Sequence, residues 1–281
     1  MAEYKIISDS SCELPQLYRG DTRFELAPFR VEIDGVPIRD TADINTKTLL
    51  NKIVDSKTFA ALACPAPDVF YNCIAHADAR RVYLITISSK ISGCYFSAML
   101  AKKLYEEAHG DKQIFVIDSK SASGGECQLA LLAMELEEQG LAFDEIKKQL
   151  ISARDRMRTV VMMESFSALY KNVSFMRIKE AVSKAPNIKS IFMGEREPED
   201  KSVKSICLKE NWNQLVENIA GALKDASEQT RIVITHCNNL IGAEKLRDML
   251  MEKTGLKNFI IMSTSGLSST LACDGGIIVT F

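Results

Sequence analysis

The sequence predicts an α/β fold of two α/β domains, the first built on a mainly parallel sheet. Two observations predict it. Short β-branched runs alternate with helical patterns along the whole chain, the order that makes parallel strands with crossover helices. The length of 281 residues, with 46% apolar residues, is enough for two cores.

The elements follow in order. Tyr4–Ile7 is the first strand. Phe29–Ile33 and Val36–Ile38 flank Asp34-Gly35, a hairpin turn signal. Thr46–Asp55 reads as a helix with Thr46 as its cap. Ala63–Pro67, with two prolines, is extended or turned. Asp68–Ala77 is a helix, Val82–Ile87 a buried strand, and a helix runs from about Ser92 to Ala108. Ile114–Ile117 is the next strand, followed by helices to about Gln139 and over Phe143–Arg156. The second half opens with strand Val160–Met163 and a short helix at Ser165–Tyr170. Ile188–Phe192 and Val203–Leu208 are partner strands around the charged turn Gly194–Lys201. Asn211–Lys224 carries Trp212, Leu215, Val216, Ile219 and Leu223 at helical spacing. Strand Arg231–Thr235, helix Ala243–Met251 and strands Asn258–Met262 and Ile277–Phe281 complete the chain. The pattern places domains at 1–157 and 158–281.

Composition narrows the function. Lys and Arg number 35 against 37 Asp and Glu, a net charge of -2 that argues against nucleic acid. No run approaches the roughly 18 apolar residues of a membrane span. The N-terminus lacks a signal-peptide layout, so the expected location is cytoplasmic. Eight cysteines are scattered singly, without CxxC. They read as reduced, apolar thiols and not as metal ligands; no metal and no cofactor are expected.

Three strand ends share one chemistry: Ser8-Asp9-Ser10-Ser11, Ser88-Ser89-Lys90 and Asp118-Ser119-Lys120-Ser121. In a parallel sheet the carboxyl ends of the strands lie on one edge, where ligands bind. Three serine-rich turns there point to one anion-binding crevice, although Ser and Asp also serve as ordinary caps and turn formers. The turn Ser88–Gly93, between a buried strand and a helix start, aims hydroxyls and free N–H groups at one point. No nucleotide-binding glycine motif and no nucleophile elbow is present. Glu126 disfavours an anion beside Gly124-Gly125. His236 ends a strand and is the one histidine placed to act as base to a crevice serine; no third group of a triad is evident. His76 and His109 belong on the surface. Asp9 and Asp118 form either a carboxylate pair or two self-bonded turns. Met157, Met162, Met163, Phe166, Leu169, Phe175, Met176, Phe192 and Met193 supply either an ordinary core or an adaptable apolar cavity.

Ser8–Pro15 (SDSSCELP), Ser88–Ala98 (SSKISGCYFSA) and Ile117–Gly125 (IDSKSASGG) stand in the order and spacing of the DegV family, whose forms are close to TDSTADLP, SSKLSGTYQSA and IDSKSASMG. Ala63–Phe70 takes the place of its TSQPSPEEF segment, Asn187–Gly194 resembles its INIKPIL strand, and Thr235–Leu246 its HADNPEDAEEL segment. The resemblance covers essentially the whole chain. It implies a long-chain fatty acid held in a crevice between the two domains, with no catalysis by the chain itself. It also implies a possible partner, the ATP-binding subunit of a fatty acid kinase, to which the carboxylate is presented. Position by position, the carboxylate-binding serine falls on Ser92, with Gly93 allowing close backbone approach. The family's first Thr of TSQPS falls on Leu62, followed by Ala63 and Cys64. Its H-x-G-P-G segment falls near Leu271–Gly276, around Ala272, and its G-G-R segment on Asn172–Met176; neither the His nor the Gly-Arg pair stands there. Asp274, near the His position, repels an anion. The expected lipid site is therefore Ser92 and Gly93 with Ser10, Ser88 and Ser89 as neighbours, Leu62, Ala63 and Cys64 beside them, and Met163, Phe166, Phe192 and Ala272 along the acyl chain. The Ser263–Ser269 segment is a further source of hydroxyls. A neutral amphiphile is an alternative ligand. A hydrolase or transferase using the crevice serines with His236 or Asp9, and an interaction protein with a decayed site, are alternative functions.

Overall fold

The uninterrupted apolar run at Arg81–Thr86 is buried along nearly its whole length, as a strand covered on both faces must be. It is β6, the centre of a four-stranded sheet. That sheet joins β1 (Tyr4–Asp9), β2 (Phe24–Ala27), β6 and β7 (Gln113–Asp118) in the order β2-β1-β6-β7, every pair parallel. The structure is a computed structural model and describes residues 3–58, 60–163, 190–193, 204–206 and 212–281.

Alternate residues of these strands feed two cores. Ile7, Val82, Leu84 and Val116 meet helices α2 (Pro67–His76) and α3 (Cys94–Ala108), which follow α1 (Thr46–Asp55). Ile6, Tyr83, Ile85 and Ile117 meet α4 (Gly124–Glu138) and α5 (Phe143–Arg156). A small antiparallel sheet, β4-β3-β5, joins β3 (Arg30–Ile33), β4 (Val36–Arg39) and β5 (Ala61–Ala63). The Asp34-Gly35 turn has φ of 50° and 78°, the paired positive values of a two-residue hairpin.

The third sheet comprises β8 (Thr159–Met162), β9 (Ser190–Met193), β10 (Lys204–Ile206), β11 (Ile232–His236), β12 (Phe259–Ser263) and β13 (Ile277–Thr280), in the order β10-β9-β8-β13-β11-β12. Parallel pairing does not extend here. Only β11 and β12 run parallel, because β13 returns antiparallel between β8 and β11. Helices α6 (Trp212–Ala222) and α7 (Leu240–Thr254) cover one face through Leu215, Ile219, Leu246 and Leu250.

Three details depart from the sequence reading. Asn45, not Thr46, caps α1, its Oδ1 accepting the Thr48 N–H at 2.8 Å. The helix after β6 begins at Cys94 because the Ser88 carbonyl first accepts the N–H groups of Ile91 and Ser92 in a turn. Strand β2 and the seven-residue helix α8 (Gly266–Ala272) were not anticipated. The helix expected at Ser165–Tyr170 and the turn at Gly194–Lys201 lie outside the described residues.

Helix α4 explains how the two layers join. It is buried on all sides, and it packs against β1 and β6 as well as β11 and β13. Gly124 makes the close approach possible: a Cβ there would stand 2.8 Å from Val233 Cγ1. A polar seam runs alongside. Ser121 Oγ meets Thr159 Oγ1 at 2.5 Å, Ser123 Oγ meets Thr235 Oγ1 at 2.6 Å, and Arg231 pairs with Glu135. Two buried acids of the first half hold the start of α8. Asp40 accepts the N–H groups of Gly266 (2.8 Å) and Leu267 (2.9 Å), and Glu13 accepts that of Ser265 (2.8 Å) and the Ser123 hydroxyl (2.5 Å).

Gly124→Ala is expected to lower stability by about 1–3 kcal/mol, because a methyl group has no room between helix and sheet; urea unfolding checks it, and an unchanged midpoint refutes the close-approach argument. Burial pushes the Glu13 carboxyl from 4.5 up to about 7. The folded chain then binds this proton more tightly than the unfolded chain. Its contribution is complete below about pH 4.5 and declines as pH rises to about 7, a loss of about 3 kcal/mol at most. Glu13→Gln, which keeps the acceptor, should flatten that part of a stability-against-pH curve; an unaltered slope assigns the titration elsewhere.

Candidate functional site

The three serine-rich turns do converge at the carboxyl edge of the parallel sheet, but chiefly on one another. Asp9 Oδ2 accepts the Ile87 N–H at 2.8 Å, joining the turns after β1 and β6. The Ser88 N–H donates to the Ser121 carbonyl at 2.8 Å. Ser89 donates its hydroxyl to Asp118 Oδ2 at 2.5 Å and its N–H to Asp118 Oδ1 at 3.1 Å, tying β6 to β7. Asp9 and Asp118 are thus separate turn anchors.

Asp9 is fully buried and takes four donors: the Ile87 N–H, the Ser11 N–H (3.1 Å), the Ser11 hydroxyl (2.7 Å) and the Cys94 thiol (3.2 Å). Ser11 Oγ also touches Glu126 Oε1, and the Ser8 hydroxyl lies 3.2 Å from Glu126 Oε2. The Ser11 hydroxyl has one proton for two carboxyl groups, so one of them must itself be protonated. Burial first, and then the charge of Asp9, push Glu126 well above the usual carboxylate range. Glu126 is therefore the acid of the pair, donating to Ser11 Oγ, which donates to Asp9. Glu126, which the sequence reading held to disfavour an anion beside Gly124-Gly125, is fully buried and faces these serines.

A cavity of about 240 Å³ opens at the start of α3. Its apolar wall is Phe29, Leu62, Ile87, Ile91 and Leu267; Cys64, Ser92 and Gly93 supply the polar atoms. Four residues singled out in the sequence, Leu62, Cys64, Ser92 and Gly93, therefore come together. Ser92 Oγ accepts the Cys94 N–H at 3.2 Å, which fixes the first turn of the helix. Cys64 is half-buried and hydrogen-bonded to Ser92; burial pushes its thiol up, so it is neutral. Gly93 is exposed, and a Cβ there would lie 3.9 Å from Cys64 Sγ. Ala63 is exposed on β5, opposite Arg30, while Leu62 stands opposite Val31. Met163 and Ala272 are buried in the same apolar cluster as Phe29 and Leu267.

Other expected residues are placed differently. Ser10 is no ligand donor: its hydroxyl donates to Asp40 Oδ2 at 2.7 Å and accepts the Phe29 N–H at 3.0 Å. Ser88 Oγ accepts the Lys90 N–H at 3.3 Å, and Ser89 is bound to Asp118 as above. Hydroxyls of the Ser263–Ser269 segment are engaged within the protein at Thr264, whose Oγ1 meets Ser269 Oγ at 2.7 Å, and at Ser268, which donates to the Ser11 carbonyl at 3.2 Å; Ser263 is exposed. Asp274 lies on an exposed turn, where Asn238 Nδ2 donates to it at 2.7 Å. His236 Nδ1 accepts the Asn239 N–H at 3.2 Å, and burial lowers its pKa, so it is neutral and turned to its own loop. Phe192 lies on β9 opposite Val160. Phe166 lies outside the described residues. Sequence reasoning missed Phe29, Ile87, Ile91 and Leu267 in the wall and Asp40 and Glu13 behind it. The apolar four look like any core residue; the two acids carry no local pattern.

Among the described residues no cluster of His, Cys, Asp or Glu is arranged to hold a metal ion, and no helix is long and apolar enough to cross a membrane. The DegV family model, described as a family of uncharacterised proteins, matches residues 3–279. A DegV domain-containing protein of Streptococcus gordonii is 31% identical, over 99% of this chain and 98% of its own. A Ruminococcus gnavus DegV-family crystal structure with vaccenic acid is similar with a TM-score of 0.85 and 28% identity, each chain covered completely (100% and 100%). The Streptococcus pneumoniae fatty acid kinase B3 protein, loaded with linoleic acid, gives a TM-score of 0.83 and 27% identity, over 99% of this chain and 98% of that one. With the family model spanning nearly its whole length, this two-domain α/β chain belongs to the DegV family.

Proposed function

We propose that this chain binds a long-chain fatty acid, with the head group at Ser92 and Gly93 and the acyl chain running between domains 1–157 and 158–281. The observation that carries the reading is the cleft itself. It is an apolar slot lined by Phe29 and Leu267 from the two halves of the molecule, with the Ser92 hydroxyl and a helix start among its lining. Such a slot suits an amphiphile with a small polar head. Buried Met163 and Ala272 continue the apolar surface behind it. Both solved relatives described above hold long-chain fatty acids, which supports the assignment.

The chain is a carrier in this reading and performs no chemistry. Ser10 and Ser89 donate their hydroxyls within the protein, Ser88 Oγ accepts the Lys90 N–H, and His236 serves its own turn. The similarity to the fatty acid kinase B3 protein favours a separate ATP-binding kinase subunit as partner. Among the described residues none of the seven cysteines forms a disulfide, consistent with work in the reducing cytoplasm.

Native mass spectrometry of protein purified from a bacterial host should show one co-purified long-chain acyl ligand per chain; a clean apo mass, with no uptake of added fatty acid, rejects the reading. Ser92→Ala should weaken binding by about 1 kcal/mol, or about fivefold, the worth of one net hydrogen bond. An unchanged dissociation constant moves the head group elsewhere.

A further inference from the structure

We infer that the cleft takes its acyl ligand with an uncharged head group, so that a fatty acid is bound as the protonated acid. This rests on the lipid-binding reading above and adds the chemical form of the ligand.

The first argument is the donor set. The described residues lining the cleft include no Lys, Arg or His. Among the described lining residues the polar side chains are the Ser92 hydroxyl and the Cys64 thiol, which burial keeps neutral. An ionised carboxylate accepts only and has about four lone-pair sites to satisfy. A carboxylic acid both donates and accepts, and a hydroxyl such as that of Ser92 can do the same in return. Leu62 offers the carboxylate nothing.

The second argument is what stands behind the walls. On one side Asp9, on β1, binds the N–H of the wall residue Ile87 and the thiol of Cys94, next to Gly93. Its charge is felt in the cleft, where it helps to push the Cys64 thiol up. On the other side Asp40, just after β4, binds the N–H of the wall residue Leu267. Glu126 on α4, itself protonated, contacts Ser11 behind Asp9 and adds no negative charge to it. Lys90, on the turn itself, is exposed, and Lys120 is paired with Asp155 at 3.1 Å. Among the described residues, the buried carboxyl groups bonded to the cleft walls are thus Asp9 on one side and Asp40 on the other. A carboxylate entering the cleft would lose its hydration and meet like charge.

The test uses delipidated protein with dodecanoic acid and dodecan-1-ol, titrated calorimetrically between about pH 6 and about pH 8. The apparent affinity for the acid should fall about tenfold per pH unit, following the protonated fraction of an ordinary carboxylic acid, while that for the alcohol stays level. An acid affinity that is flat with pH, or tighter than that of the alcohol at about pH 8, overturns the inference. So does a parallel fall for both ligands, which would report titration of the protein's own acids. Binding of neither ligand at any pH rejects the lipid reading and this inference with it. In the converse direction, Leu62→Lys should abolish the pH dependence for the acid and make it the preferred ligand at about pH 8. If that variant fails to fold by circular dichroism, the wild-type comparison of acid and alcohol decides alone.

Discussion

A carboxylate buried without a cation constrains everything around it, and Asp9 is such a group. It is fully buried and burial pushes its pKa up, so its charge survives only through its four donors. Hydrogen bonds to charged groups contribute about 1.5–3 kcal/mol each. Leaving such a charge uncompensated costs about 3–5 kcal/mol. The donors come from the turn after β1, the end of β6 and the first residue of α3. Satisfying Asp9 therefore brings those three segments to one place, and the cleft lies where they meet. Burial, and then the same charge, keep Glu126 protonated, which lets Ser11 bridge the two carboxyl groups instead of forcing them apart.

Two more acids connect this edge to the second half. The first N–H groups of a helix have no partners within it, and those at the start of α8 are taken by Asp40, with the Ser265 N–H just before it taken by Glu13. Negative charge at a helix N-terminus is favourable on electrostatic grounds as well. Leu267, one wall of the cleft, sits on this tethered turn, and Phe29, the facing wall, is fixed through its N–H to Ser10, which also bonds Asp40. Asp40 thus holds both walls. The shape of the cleft and the docking of α8 are one structural decision, reinforced by α4 lying between the two larger sheets.

Much of the fold was legible because its signals are local. The Asp34-Gly35 hairpin, the run at Val82–Ile87 and the periodic apolar face of Trp212–Leu223 each carry their own evidence. The misses have physical causes. Strand β2 is short and only partly buried, with its apolar Leu26 exposed, so it shows no clear alternation. Helix α8 is seven residues held from outside by Asp40 and Glu13, and propensity does not reveal such support. Ser92, Gly93, Leu62 and Cys64 were legible as a group through the family resemblance. What could not be read was which serines are free for a ligand. Ser10 is claimed by an acid 30 residues away and Ser8 by one 118 residues away. A hydroxyl's availability depends on partners that only the folded chain brings near.

That dependence also decides how the cleft should be described. Counted by residue type, the turns look like a rich anion site, with serines on three strand ends. Many of their hydroxyls are engaged within the protein: Ser10, Ser11 and Ser89 bond buried or partly buried carboxyl groups, Ser119 donates to the Ser121 carbonyl and Ser121 meets Thr159. The residue that differs most from the family pattern, Leu62, adds no donor either. On β5, opposite Val31 and against the main apolar cluster, it extends the apolar wall of the slot beside Ser92 and Gly93. Cys64 does the same with a thiol that burial keeps neutral. The chemistry of the site is thus set less by the side chains facing the ligand than by the acids one residue behind them, which engage several of the hydroxyls and leave an environment in which a new negative charge is unwelcome.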